Sequence, residues 1–191
     1  MHLYDVVLFA HISVVLGAFV LVGVIHLAEH LSVRAATVQE LRSTSRPMKL
    51  GALFPVVLIL LLALGMWLLH LSKDQSEEFH FGSPFVWTAL IAVAFLFVSG
   101  GAFLGRHAAA LGKAVAAAPD GPVSPELRAM ITEPVTWVLA WVNPFLVLGV
   151  VFNMATKPGA AAAIAALVVG VAAGLVVGSV TLKAARAAVP V

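Results

Sequence analysis

The chain has 191 residues, 62% of them hydrophobic and 10% charged, with a mean hydropathy of +1.07; as a soluble fold it would leave large apolar faces with nothing to cover them. Its formal charge of +2 comes from basic residues flanking apolar runs and gives no support to nucleic-acid binding. The absence of cysteine rules out disulfides, thiolate metal sites, iron–sulfur clusters and a cysteine nucleophile.

Five apolar runs, at 4–31, 51–71, 85–104, 134–155 and 160–181, are each about the 20 residues needed to cross a hydrocarbon layer roughly 30 Å thick. They are continuously apolar, whereas barrel strands are about ten residues long and alternate polar with apolar. An all-α, polytopic transmembrane bundle of five spans is therefore expected, forming one membrane domain over 1–191, since no connection is long enough to fold separately.

The first run follows Met1-His2-Leu3-Tyr4-Asp5, which lacks the basic start of a secretory signal, so this helix is expected to be retained. His11 lies about seven residues in, roughly 10 Å along the axis from the outer end, where an ionisable side chain is costly and often functional. Its imidazole can ligate heme iron, relay protons or bond a neighbouring helix. Near the other end stands His26-Leu27-Ala28-Glu29-His30, whose histidines at i and i+4 share one helix face. H-x-x-E-H is also the pattern of inverted zinc peptidases, but carries that meaning only in their soluble fold. A divalent metal held by His26, Glu29 and His30, with His107 from the end of the third run, is the sharper reading. The plainer one makes them interfacial side chains reaching headgroups and water. His11 and His26 lie about 22 Å apart along the helix and cannot share one iron.

The second run ends at His70, the depth-matched candidate for a second axial ligand if His11 holds a heme; His80 and His2 are weaker ones. After the third run, Pro119-Asp120-Gly121-Pro122 signals a turn, and Ser124-Pro125-Glu126 predicts a short capped surface helix. Pro134 then opens the fourth run, with Thr132 or Glu133 just outside it. Asn143-Pro144 is expected to break that helix, either as a tolerated kink or as a freed carbonyl lining a substrate or ion site; Asn153 is the other polar residue at depth. Trp67, Trp87, Trp137 and Trp141 fall mostly near span ends, as interfacial belts do. In the fifth run, Gly170, Gly174 and Gly178 line one face and allow close helix approach, either within the bundle or in a homo-oligomer or larger membrane complex.

Nine of the eleven basic residues flank the first and third connections and the tail. The opposite side holds only Lys73 and Lys157 among basic residues, with Asp5, Asp74, Glu77 and Glu78. The positive-inside rule then places the N-terminus outside and the C-terminus inside. Leu16-Gly17-Ala18-Phe19 and Gly100-Gly101-Ala102-Phe103, together with Phe54-Pro55 and Asn143-Pro144, hint at a parallel two-plus-two duplication.

His11 followed by Gly17, the Arg-rich first connection, Leu53-Phe54-Pro55 leading to Leu64-Gly65-Met66-Trp67, and Met154-Ala155-Thr156-Lys157-Pro158 together resemble the bacterial predicted integral membrane proteins of domain-of-unknown-function family 2269, over about residues 4 to 160. The resemblance implies a four-helix core, with the Gly-rich fifth helix as an extension, in a bacterial cytoplasmic membrane. More distantly, the first helix is similar to those of copper-resistance D membrane proteins and four-helix heme-containing protoporphyrinogen oxidases. Val14-Val15-Leu16-Gly17-Ala18 supplies neither the Trp nor the paired glycines of those relatives, so only His11 carries over as a ligand.

No phosphate-binding loop, buried lysine for a Schiff base or G-x-S-x-G elbow is present, and no catalytic residue is assigned. The expected function is a histidine-ligated b-type heme (His11, His70) or divalent metal (His26, Glu29, His30, His107) used in electron transfer or metal handling. The alternatives are an accessory or scaffold subunit and a small transporter or channel.

Overall fold

The computed structural model describes residues 2–72 and 79–188. Among these the chain is all-helical, its sole β feature an isolated bridge between Thr37 and Pro122. In order run α1 (Leu3–Arg34), α2 (Val38–Thr44), a 3-10 segment (Arg46–Leu53), α3 (Phe54–Leu71), α4 (Pro84–Phe97), a π-helical segment (Val98–Gly105), α5 (Arg106–Ala117), α6 (Pro125–Ile131), α7 (Pro134–Thr156) and α8 (Ala160–Ala187). Five helical rods are long and apolar enough to cross a membrane, which makes this a multi-pass membrane protein. Lys73, Asp74, Glu77 and Glu78 lie outside the described residues.

Helix starts follow their local chemistry. Thr37 accepts from the amide of Glu40 at 3.2 Å to cap α2, and Ser124 accepts from that of Leu127 at 3.3 Å to cap α6. The Glu133 carboxylate takes the amides of Val135 and Thr136, at 3.2 and 2.7 Å, ahead of Pro134. Each satisfies donors that a first helical turn otherwise leaves orphaned. Lys157 closes α7 in the left-handed region, φ 48°, and Pro158 prevents continuation.

The third rod extends beyond the apolar run at 85–104. Helix does not stop at Leu104 but passes through the π-helical segment into α5 and ends at Ala117, 34 residues in all, or about 50 Å. Glycines at 100, 101 and 105 lower helix propensity, but Leu111 and Val115 give the extension a buried face. That face joins a core outside the apolar runs, where Val33, Val38, Leu41, Leu111, Val115, Val123, Leu127, Ile131 and Leu182 pack together. We call this the capped end. α2, α5 and α6 close it over the ends of α1 and α8.

Three arginines knit the cap through backbone carbonyls. Arg42 donates to Val115 O and Ala118 O at the end of α5, at 3.3 and 2.5 Å, and to Asp120 Oδ1 at 2.6 Å. Arg128 donates to Val33 O and Ala35 O at the end of α1, at 3.3 and 3.1 Å, and Arg186 to Thr132 O at 3.2 Å. Cations here meet the unsatisfied carbonyls and negative dipole ends of helices.

Within the apolar layer α8 lies along α7, and its glycines make this possible. A Cβ on Gly170 would stand 2.5 Å from Phe145 O, one on Gly174 2.5 Å from Val142 Cα, and one on Gly178 3.0 Å from Val138 Cα. The glycine face is thus covered by α7 within the chain. A second group packs α1 against α3, and the two groups meet chiefly through α4 and the cap. Pairing α1 with α3 and α4 with α7 matches the duplication pattern, but Pro55 opens α3 whereas Pro144 lies mid-helix in α7.

Candidate functional site: an intramembrane chamber

Between the α1/α3 pair and the α4/α7 pair lies a cavity of about 980 Å³, walled mainly by apolar side chains such as Val15, Val22, Leu58, Leu61, Leu96 and Val147. This is at the upper end of the size range of small-molecule sites, about 300–1,000 Å³. Its polar groups are few: His26, Glu29, Ser32, His107, Asn143 and Thr136, with Arg42, Ser45, Arg46 and Lys49 from the capped end.

His26 projects inward from α1 and meets Trp141 of α7 with the rings tilted by 50°, their centroids 4.4 Å apart. Its Nδ1 stands 3.3 Å from a Glu29 carboxylate oxygen, without the alignment of a hydrogen bond, so both ring nitrogens are buried with no hydrogen-bond partner. A buried polar atom normally finds one. His30, one turn on, leaves this chamber: it lies edge-on to Trp137 at 5.6 Å and lines a separate small pocket with Arg34 and Thr181. His107 Nε2 sits 3.0 Å from Met130 O.

These placements separate the proposed metal quartet. Among the described residues no group of three or more His, Asp or Glu converges as a metal site. His26 and Glu29 remain adjacent, while His30 and His107 are engaged elsewhere. His11 occupies the α1/α3 contact, its Cε1 3.6 Å from where a Cβ on Gly65 would be, and its Nδ1 is buried without a partner. His70, five residues beyond Gly65, is about 140° around α3 and exposed in the last helical turn. The two histidines therefore use different faces of α3, and neither lines the chamber. His80 accepts from the amide of Gly82 at 3.1 Å in a loop turn, and His2 is exposed ahead of α1.

Asn143-Pro144 does not break α7, which runs unbroken from Pro134 to Thr156. The Asn143 side chain accepts from Ser99 Oγ at 3.0 Å, tying α7 to the π-helical segment. Such segments are often associated with functional sites. Asn153 is fully buried and donates to Ala163 O at 3.0 Å and Thr88 Oγ1 at 3.4 Å, joining α7, α8 and α4.

Trp141, Ser99, Arg46 and Lys49 are site residues that the sequence reading passed over. For the tryptophans there was a signal: Trp137 and Trp141, like His26 and His30, stand at i and i+4, so two helix faces of matched spacing can meet. Trp137 is buried against α8, donating from Nε1 to Thr181 Oγ1 at 3.1 Å. Comparison of the chain with family models, curated proteins and solved structures finds no match.

Proposed function

We propose that this is a multi-pass protein of the bacterial cytoplasmic membrane, N-terminus outside and capped end inside, whose chamber takes a b-type heme for electron transfer, with His26 as the residue that would hold it. The observation carrying this reading is the His26 ring, buried in an apolar chamber with both nitrogens unpartnered. Metal sites built from protein alone need three or four converging ligands; heme iron takes its equatorial donors from the porphyrin and asks one or two axial groups of the protein. Bound there, the group supplies a one-electron iron couple.

The chain's own residues prepare that position. The Glu29 carboxylate, 3.3 Å from Nδ1, places a negative charge beside one edge of the ring and leaves Nε2 free as the donor atom. Trp141 restricts the ring, and Trp137 is the tryptophan of the chamber lining. The distribution of Lys and Arg supports the orientation, and the resemblance to bacterial membrane proteins supports the compartment.

Absorption spectra of detergent-purified protein, oxidised and dithionite-reduced, test this. A Soret band with sharp reduced α and β bands is expected, lost in His26→Ala and retained in His11→Ala. Loss in His11→Ala alone moves the iron to the α1/α3 contact. Colourless protein from heme-replete cells sinks the heme reading.

A second reading, an accessory subunit of a membrane complex, has its own support: the most apolar eighteen residues of α1 include no buried residue. Copurification of a stoichiometric partner, with no cofactor, would favour it.

A further inference from the structure

We infer that Arg46 and Lys49 make the chamber selective for an anionic amphiphile, a molecule with a bulky apolar body and carboxylate or phosphate groups at one end. The inference rests on the chamber being a ligand site, but not on iron or on His26.

The chamber's charges are confined to the capped end, and they are not equivalent. The Arg42 guanidinium is spent on Val115 O, Ala118 O and Asp120. Glu29 stands against His26. Arg46 and Lys49, three residues apart on the 3-10 segment, share one side of it; both line the chamber while remaining exposed, and neither makes a hydrogen bond or ion pair within the described residues. What remains after internal pairing is two cations and one carboxylate over an otherwise apolar volume. A neutral ligand would gain nothing from those cations, and a cationic one would meet their repulsion, whereas an acid group gains a charge-assisted contact. A ligand whose acid groups lie at Arg46 and Lys49 can keep its apolar body among Leu58, Leu61 and Leu96, combining charge-assisted contacts with apolar burial. Heme propionates and phospholipid phosphates share this chemistry.

The probes are iron protoporphyrin, its metal-free form and the dimethyl ester of each, titrated into the full chain in nanodiscs of phosphatidylcholine and followed by quenching of tryptophan fluorescence. The free acids should bind about ten-fold or more tightly than the esters. That preference should vanish in the Arg46→Gln/Lys49→Gln double variant. It should persist in Arg106→Gln/Lys113→Gln, which removes the same charge from positions outside the chamber. Equal binding of acid and ester by the unsubstituted protein overturns the inference without reliance on any variant, and so does equal loss in both double variants. Phosphatidylglycerol displacing the porphyrin supports the inference with a lipid head as the natural acid; failure to displace supports it with a carboxylate-bearing ligand. Acid preference without a His26-dependent iron spectrum leaves the inference standing and the heme reading refuted. A His26-dependent spectrum with no acid preference does the reverse.

Discussion

Arg42, Arg128 and Arg186 illustrate how one side chain serves two physical roles. As cations near span ends they bias orientation; as guanidinium forks they hold carbonyls that helix ends leave open. Arg42 bonds Val115 O, Ala118 O and Asp120, so Arg42→Ala should destabilise the cap by about 2–3 kcal/mol, read as a lower Tm in detergent. Arg42→Lys, which keeps the charge but has no fork, should recover less than half of the loss. Full recovery by lysine would reduce the role to charge alone. The charges were legible in the sequence, but their partners were not, because Val115 and Ala118 lie over 70 residues away and the contact exists only once the cap has formed. The same holds for His26: its helix face followed from spacing, whereas its isolation from His30 and His107 depends on Trp137 and on Met130 O.

At the scale of elements, glycine makes a sharp contrast. In α8 a methyl group on Gly174 would meet Val142 Cα at 2.5 Å, so Gly174→Ala should force α7 and α8 apart and cost about 1–3 kcal/mol. In α5 nothing lies within 4 Å of such a methyl on Gly112, and Gly112→Ala should stabilise that helix by up to about 1 kcal/mol. Paired thermal melts in detergent check both signs. The glycine spacing was readable from sequence, and it pointed equally to an intrachain or an interchain partner; only the position of α7 shows what covers it here. The continuation of the third helix past its apolar run was not legible for a different reason. The burial of Leu111 and Val115 in the cap outweighs the low propensity of Gly100, Gly101 and Gly105, a contribution no local window contains. Pro144 shows the same override, since α7 accommodates it unbroken.

For the whole molecule, the five spans were legible because bilayer thickness imposes a length that composition alone displays. The chamber was not, since a cavity is a property of how α1, α3, α4 and α7 are spaced rather than of any one of them. Its volume can be tested by filling it. Ala18 lines the chamber from α1, and Ala18→Trp should abolish porphyrin binding while leaving helix content by circular dichroism unchanged. Undiminished binding would place the ligand elsewhere. A helix substitution on the outward stripe, such as Val20→Trp at an exposed position, should leave binding intact.

The unbroken 34-residue rod carries the chamber wall at Leu96 and Leu104 and the cap at Leu111 and Val115 on a single stiff body. Because the same rod runs on into the cap, filling the chamber should alter the surroundings of its far end, an expected outcome that a probe there can read. Because the chain has no cysteine, Lys113→Cys offers one unique attachment point for a spin label or dye. Its environment should change when the chamber fills, and stay constant in the Ala18→Trp variant.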